Sequence, residues 1–128
     1  MEKTRTCAFQ VNYHLIWAVK YRRKVLVGPV EVRFVEVLKS IVDNPGYKLL
    51  TARVHDGDHV HVFVSAKPSV CVVSVVRVLK FVSAKLLFEE FLQLKFWLWG
   101  GHLWFEGYTI CTAGDVASAK IEAYINRY

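Results

Sequence analysis

The turn Asp56-Gly57-Asp58, in the middle of the chain, constrains the fold more than any other feature. It separates two stretches typical of β-strands, residues 47–55 and residues 59–65. Two such stretches joined by a tight Asp-Gly turn predict a β-hairpin. Because hairpin strands are antiparallel neighbours, the central sheet must contain antiparallel pairing.

An amphipathic helix is predicted on each side of this hairpin. Gly28-Pro29 opens the first helix, and Asn44-Pro45-Gly46 ends it. The second helix covers about residues 70–87, with Ser69 as its expected N-cap. It is rich in valine, which by intrinsic propensity favours strands, but its apolar residues follow the helical period. They form the stripe Val72, Val75, Val76, Leu79, Val82 and Leu86.

Two further strands and a last helix complete the pattern. Residues 6–19 alternate between apolar and polar side chains, which predicts a half-buried strand. Residues 88–106 look irregular and aromatic, Tyr108 to Thr112 predicts a short fourth strand, and a final helix covers about 115–128. The order β-α-β-β-α-β-α predicts one α+β domain over residues 1–128, a ferredoxin-like split β-α-β antiparallel sheet packed by helices, with an extra C-terminal helix.

Charge and composition restrict the class of protein. The chain carries a formal charge of +6, from 17 Lys and Arg against 11 Asp and Glu, and is 54% hydrophobic. That apolar fraction is too high for a disordered basic tail, and the positive charge favours a phosphate-rich partner. No apolar run approaches the roughly 18 uncharged residues of a membrane span, so no membrane partner is expected. Cys7, Cys71 and Cys111 form no CxxC pair, which favours free thiols in a reducing cytoplasm.

The histidine pair His59-Val60-His61 is the sharpest chemical feature. On a strand, residues i and i+2 point to the same face, about 7 Å apart, so two imidazoles can converge on one divalent cation. Two nitrogens rarely complete a metal site, and a third ligand must come from elsewhere. The competing interpretation is two histidines on an exposed sheet face. For His14, His55 and His102, a surface or core position is the simpler reading.

Basic residues and tyrosines supply two more candidate features. The last helix places Tyr124 and Tyr128 one turn apart, either as core aromatics or with a hydroxyl able to attack a phosphodiester. A basic run suits phosphate oxygens and unpaired bases, although a solubilising loop is nearly as good an interpretation. The candidate DNA-binding residues are Lys20, Tyr21, Arg22, Arg23 and Lys24 in this run, and Arg77, Lys80 and Lys85 on the second helix.

The motifs in this order resemble the single-tyrosine HUH transposases of the smallest, IS200-like insertion sequences of bacteria and archaea. The resemblance covers nearly the whole chain, and its order and spacing are more specific than any single motif. The matching segments are Asn12 to Trp17, Lys20 to Arg23, Asp58 to Phe63, Lys80, Ser83-Ala84, Leu103-Trp104, Gly107-Tyr108, Thr112 to Gly114 and Tyr124-Ile125.

This resemblance implies a mechanism and partners. Mg²⁺ or Mn²⁺ held by His59 and His61 would polarise the scissile phosphate, and Tyr124 would attack phosphorus to give a 5′-phosphotyrosine and a free 3′-hydroxyl. The implied partners are single-stranded DNA with hairpin ends and a second copy of the chain, whose tyrosine helix can act in trans. The surplus of apolar residues in so small a domain independently favours such a dimer.

Two departures from the family pattern leave alternatives open. Tyr128 stands where the family usually has a glutamine, its third metal ligand, and a neutral phenol is a poor ligand. The site could then recruit water or a nearby group, bind metal weakly, or be inactive. Gly57 stands where the family usually has proline. Besides the transposase, the alternatives are a decayed or domesticated hairpin-DNA-binding protein of the same fold and an unrelated ferredoxin-like RNA-binding domain.

Overall fold

A four-stranded antiparallel sheet forms the centre of the fold. The computed structural model describes residues 11–41, 46–98 and 101–112. The strands lie in the order β2-β3-β1-β4, and every pairing between them is antiparallel. The elements in chain order are β1 (Val11–Ala18), a 3-10 helix (Lys20–Arg22), α1 (Pro29–Ile41), β2 (Tyr47–His55), β3 (His59–Ala66), α2 (Val72–Glu90), α3 (Leu94–Trp97) and β4 (Thr109–Thr112). This confirms the predicted α+β, split β-α-β fold.

One face of the sheet carries the apolar core. Alternate residues of β3 face it, because successive strand side chains point to opposite sides of a sheet. The core residues of the two central strands are Leu15, Trp17, Val60, Val62 and Val64, all fully buried. They pack with the buried stripes of α1 and α2. Full burial of each such side chain contributes about 1.5–3 kcal/mol.

The two predicted helices that flank the hairpin are confirmed as α1 and α2, with two differences in α2. Its N-cap is Cys71, not Ser69, and no side chain caps the helix. Its core stripe includes Ser83 and Leu87, whereas Val82 and Leu86 are only half-buried. At the shifted position, Ser83 Oγ accepts a hydrogen bond from the indole Nε1 of Trp104 at 3.2 Å.

The segment predicted as irregular, 88–106, is more ordered than expected. α2 continues to Glu90, and the short helix α3 follows. Trp104 then forms an isolated bridge with Val19 and packs edge-on against Trp17, with ring centroids 5.7 Å apart. Its indole Nε1 donates to the Lys80 carbonyl oxygen at 3.1 Å. These contacts fix the segment that leads into β4.

The turn between β2 and β3 is tight against the neighbouring loop. Gly57 has φ +72, and an added Cβ would lie 2.9 Å from Val27 Cγ1. Proline cannot adopt a positive φ, so this turn is incompatible with the proline usual at this position in the resembling family. Glycine is required here by conformation and by space.

Some predictions fall on residues that the structure does not describe. The final helix of about 115–128, with Tyr124 and Tyr128, lies outside the described residues, as do residues 6–10 of the predicted first strand. Within the described ranges, no helix is long and apolar enough to cross a membrane. Cys71 is exposed, and Cys111 is half-buried.

Candidate active site

Strand register gathers four histidines on the sheet face opposite the core. His59 lies opposite His55 on β2 and Ala18 on β1. His61 lies opposite Ile16, so its diagonal neighbour on β1 is His14. Because facing residues of antiparallel strands share a face, these four imidazoles lie together.

His59 is fixed in one orientation by its neighbour in the chain. Its Nδ1 lies 2.5 Å from Asp58 Oδ1, and both side chains are buried. An ionised carboxylate can only accept a hydrogen bond, so Nδ1 donates, and whenever the ring is neutral its lone pair is on Nε2. Nε2 is buried and has no hydrogen-bond partner among the described residues. His59 is therefore not on an exposed sheet face, which was the competing interpretation of the pair.

His61 contacts a histidine that sequence reasoning set aside. Its Nε2 lies 2.7 Å from His14 Nδ1, and the two ring centroids are 4.9 Å apart. Burial, with the positive charges of His14, His55 and Arg53, lowers the pKa of His61 to about 4. At neutral pH the His61 imidazole is therefore uncharged and able to bind a cation through a ring nitrogen.

Two of the three spare histidines belong to the site. The His55 ring stacks near both members of the pair, with centroids 5.6 Å from His59 and 6.2 Å from His61. His14 and His55 therefore lie beside the pair, whereas His102 is exposed. The register of the antiparallel strands, had it been assigned, would have found both.

The basic run lies directly beside this site. Arg22 Nε donates to Asp58 Oδ2 at 3.2 Å, and Lys24 Nζ lies 3.5 Å from the same oxygen. Burial alone would raise the pKa of Asp58, but hydrogen bonds from His59 and Arg22, with the charge of Arg22, hold it below its usual value. Asp58 is therefore an ionised, buried carboxylate. Its Oδ1 contacts His59, and its Oδ2 contacts Arg22 and Lys24.

A complete metal site is not present within the described ranges. No group of three His, Cys, Asp or Glu side chains there could hold a metal ion. His59 and His61 place two imidazoles on one strand face, and a third ligand remains an expectation. The position predicted for it, Tyr128, and the predicted nucleophile Tyr124 lie outside the described residues.

The candidate DNA-binding residues of α2 line one groove. Its volume is about 660 Å³, and its walls include Arg77, Lys80 and Lys85 with the aromatic rings of Phe81 and Tyr108. Lys80 is half-buried, and its Nζ lies 2.8 Å from the Phe105 carbonyl oxygen, with the next two carbonyls within 3.4 Å. Lys80 therefore braces the segment before β4, a role that the sequence did not predict.

A second groove adjoins the basic run. It has a volume of about 530 Å³, and its walls include Lys20, Tyr21, Arg22 and Phe105. Glu106 lines both grooves, so they are neighbours on the surface. The predicted DNA-binding residues of the basic run and of α2 thus lie on adjoining surfaces, whereas the histidines lie on the opposite sheet face from α2.

Helices α1 and α2 pack on one face of the sheet, and the paired histidines lie on the other. The sequence profile described as "Transposase IS200 like" matches residues 7–128. The chain belongs to this family of IS200-like transposases, whose members are DNA-cleaving enzymes.

Individual relatives agree with this assignment. The chain is 42% identical over 125 residues to the ISDra2 transposase TnpA of Deinococcus radiodurans, covering 98% of this chain and 89% of that protein. It is 32% identical over 114 residues to the transposase for insertion sequence element IS200 of Salmonella typhimurium, covering 89% and 74%. A crystal structure of a Deinococcus radiodurans protein assigned as a transposase superposes with a TM-score of 0.87 at 36% identity, covering 99% and 97%. The alternative interpretation, an unrelated ferredoxin-like RNA-binding domain, is therefore excluded.

Proposed function

We propose that this transposase cleaves and rejoins single-stranded DNA through a 5′-phosphotyrosine on Tyr124, with a divalent cation held by His59 and His61. The observation that carries the proposal is the arrangement of His59. Its Nδ1 is bonded to Asp58, and its Nε2 is buried without a described hydrogen-bond partner. Carboxylate–histidine pairs of this kind orient metal-binding imidazoles.

The residues present fit a divalent cation. A buried ring nitrogen without a partner is costly unless a ligand occupies it. His61 lies two residues away on the same strand face, and its low pKa keeps it neutral at physiological pH. Mg²⁺ and Mn²⁺ are suited chiefly by oxygen ligands, so beside the two imidazoles, oxygen atoms from DNA, water or the last helix would complete the site.

The proposed cleavage needs no outside energy source. When bound, the cation would polarise the scissile phosphate. The Tyr124 oxygen forms a bond to phosphorus, the bond from phosphorus to the 3′ oxygen breaks, and the phenol proton ends on that oxygen as the 3′-hydroxyl. The new ester replaces the old one, so a 3′-hydroxyl from another DNA end can reverse the step and join.

Single-stranded DNA with hairpin ends is the proposed substrate. The adjoining grooves combine lysine and arginine with exposed aromatic rings, which suits phosphates and unpaired bases. Tyr21 and Phe105 flank the groove beside the basic run. The location of that run, next to Asp58, would bring a bound strand close to the histidines.

A homodimer with the tyrosine helix acting in trans completes the proposal. Exposed apolar side chains outside the two grooves support an interface, since Phe96 is 80% exposed and Leu92 is 63% exposed. Mixing a His59→Ala chain with a Tyr124→Phe chain tests this arrangement. Restored cleavage in the mixture is expected if one subunit supplies the histidines and the other the tyrosine.

A covalent-adduct assay tests the reaction itself. The full chain is incubated with end-labelled single-stranded hairpin DNA and Mn²⁺, and the products are separated on a denaturing gel. We expect a protein–DNA adduct that disappears in Tyr124→Phe and His59→Ala. An adduct that persists in Tyr124→Phe would overturn the assignment of the nucleophile, and cleavage that persists in EDTA would overturn the metal.

A second candidate function is hairpin-DNA binding without cleavage. The residue that favours it is Tyr128, at the position where the resembling family has a metal-binding glutamine. This candidate predicts hairpin binding that survives both Tyr124→Phe and EDTA, with no adduct at any Mn²⁺ concentration. The same gel, together with a binding titration, separates the two functions.

A further inference from the structure

The basic run is fastened to the turn that carries Asp58. Val19 N–H donates to the Asp58 carbonyl oxygen at 2.7 Å, and Leu26 N–H donates to the Gly57 carbonyl oxygen at 2.9 Å. Lys24 Nζ donates to the Asp56 carbonyl oxygen at 3.1 Å. The two loops therefore form one unit immediately before His59.

This unit holds two consecutive residues in an unfavourable backbone conformation. Tyr21 has φ 60 and Arg22 has φ 53, in the left-handed region that residues with a Cβ rarely adopt. Such conformations persist where surrounding contacts hold them, and they concentrate at functional sites. In this conformation the Arg22 side chain contacts Asp58.

The two oxygens of the Asp58 carboxylate contact different residues. Oδ1 accepts the hydrogen bond from His59 Nδ1, and Oδ2 accepts that from Arg22 Nε. The Asp58 side chain is only 4% exposed, whereas that of Arg22 is 40% exposed. Arg22 is therefore the partly solvated end of a chain of contacts that runs inward to His59.

We propose that Arg22 is a positioning residue for the metal site, acting through Asp58 to fix the His59 ring with Nε2 toward the cation. This inference rests on the proposed function, in which His59 holds that cation. The basic run would then have two roles, because Arg22 would support the metal site as well as the DNA-binding surface. Supporting groups of this kind typically alter metal affinity 10- to 100-fold.

The direction of the change in Mn²⁺ affinity in Arg22→Gln distinguishes a positioning role from a simple charge effect. Arg22→Gln removes a positive charge near the site, and electrostatics alone would then make a cation bind more tightly. If Arg22 positions His59, the same substitution weakens binding because Asp58 and His59 lose their fixed geometry. We expect Mn²⁺ affinity, measured without DNA by electron paramagnetic resonance, to fall about tenfold.

Matched variants complete the experiment. Lys20→Gln removes the same charge from the same run and should leave Mn²⁺ affinity within about twofold, because the Lys20 ammonium lies over the Tyr21 ring, whereas the ion pairs to Asp58 come from Arg22 and Lys24. Asp58→Asn should weaken Mn²⁺ binding to a similar extent, and the double variant should add little to either single loss. Arg22→Lys, which keeps the charge near Asp58, should recover part of the affinity.

A second readout keeps the test valid if a variant is less stable. The ¹⁵N shifts of the His59 ring report which nitrogen carries the proton. We expect a proton on Nδ1 in the natural chain and a mixture of tautomers in Arg22→Gln. Unchanged or tighter Mn²⁺ binding in folded Arg22→Gln, with an unchanged tautomer, would overturn the role proposed for Arg22 and leave the proposed metal site standing. Mn²⁺ binding unaffected by His59→Ala would overturn the proposed metal site as well.

Discussion

His14 Nδ1 lies 2.7 Å from His61 Nε2, so a hydrogen bond joins two imidazoles on neighbouring strands, with one ring donating and the other accepting. The contact joins the first strand of the chain to the strand of the histidine pair. A cation that uses the His61 Nε2 lone pair must displace this hydrogen bond. His14 therefore competes with the proposed cation for this nitrogen.

Replacing His14 should raise the pKa of His61 above about 4, because His14 contributes one of the charges that lower it. Burial is the larger cause and remains, so the pKa should stay below the usual 6.5. His14→Phe keeps an aromatic ring beside Phe63, on which His14 stacks. Titration of the His61 ring protons by NMR measures the change. The exposed His102 gives the control variant His102→Phe, and equal effects of the two changes would contradict the prediction.

The metal-free protein should lose stability as the pH falls from 7.5 to 5. The folded-state pKa of His61 is about 4, below the unfolded value of 6.5, so the unfolded chain takes up a proton first. The stabilising effect is complete above pH 6.5 and is lost as the pH falls toward 4. With allowance for partial exposure, the loss is about 1–2 kcal/mol at pH 5. Urea unfolding in EDTA measures it, and a His61→Gln chain should show a clearly smaller pH dependence.

Gly57→Ala should destabilise the protein more than Gly28→Ala. Both glycines have positive φ, at +72 and +56, so both substitutions cost about 1 kcal/mol or more in backbone strain. Only at Gly57 would the new Cβ meet a neighbour, Val27 Cγ1 at 2.9 Å, whereas nothing lies within 4 Å at Gly28. Urea unfolding of the two variants gives the comparison. Equal losses would show that the close contact with Val27 relaxes freely.

Lys80→Met should cost stability, whereas Lys85→Met should not. Lys80 contacts three successive carbonyl oxygens, and the methionine keeps its apolar stem but loses these bonds. A loss of about 1–3 kcal/mol is expected. Lys85 lines the same groove and is exposed, so its replacement should change stability by less than about 0.5 kcal/mol. Thermal unfolding measures both, and a stable Lys80→Met chain would show that its contacts are dispensable.

Tyr128→Gln should strengthen Mn²⁺ binding and increase the yield of DNA adduct. A glutamine side-chain oxygen is a good ligand for a hard cation, whereas a neutral phenol is a poor one. Calorimetric titration with Mn²⁺ should show about a tenfold gain in affinity, equivalent to about 1.4 kcal/mol. Tyr128→Phe is the control and should leave the affinity unchanged. A loss of affinity in Tyr128→Phe would instead make the phenol oxygen a ligand.

Local sequence patterns were sufficient to predict most of the fold. The Asp-Gly turn located the hairpin, and helical spacing identified α2 in spite of its valines, because burial of a stripe outweighs intrinsic propensity. Ser83 was missed as a core position because its burial depends on Trp104, 21 residues later, whose Nε1 lies 3.2 Å from Ser83 Oγ. Contacts between distant residues leave no periodic signal in the sequence.

The site was predictable only where its residues are adjacent in the chain. His59 and His61 stand two apart on one strand, so their common face follows from strand geometry. His14 is 47 residues from its partner His61, and finding it needs the register between strands. The Arg22–Asp58 contact, 36 residues apart, needs the left-handed turn at Tyr21 and Arg22. The sequence pattern indicated a phosphate-binding arginine there and gave no sign of its carboxylate partner.

The position of Trp104 provides the protein with an optical reporter. The indole Nε1 lies against the backbone of α2 at Lys80, and the ring meets Trp17 edge-on. A DNA strand that drew Lys80 away from the carbonyls it braces would disturb the surroundings of this indole. Occupation of the groove on α2 could then be followed through tryptophan emission in the unlabelled protein, in solution and in real time.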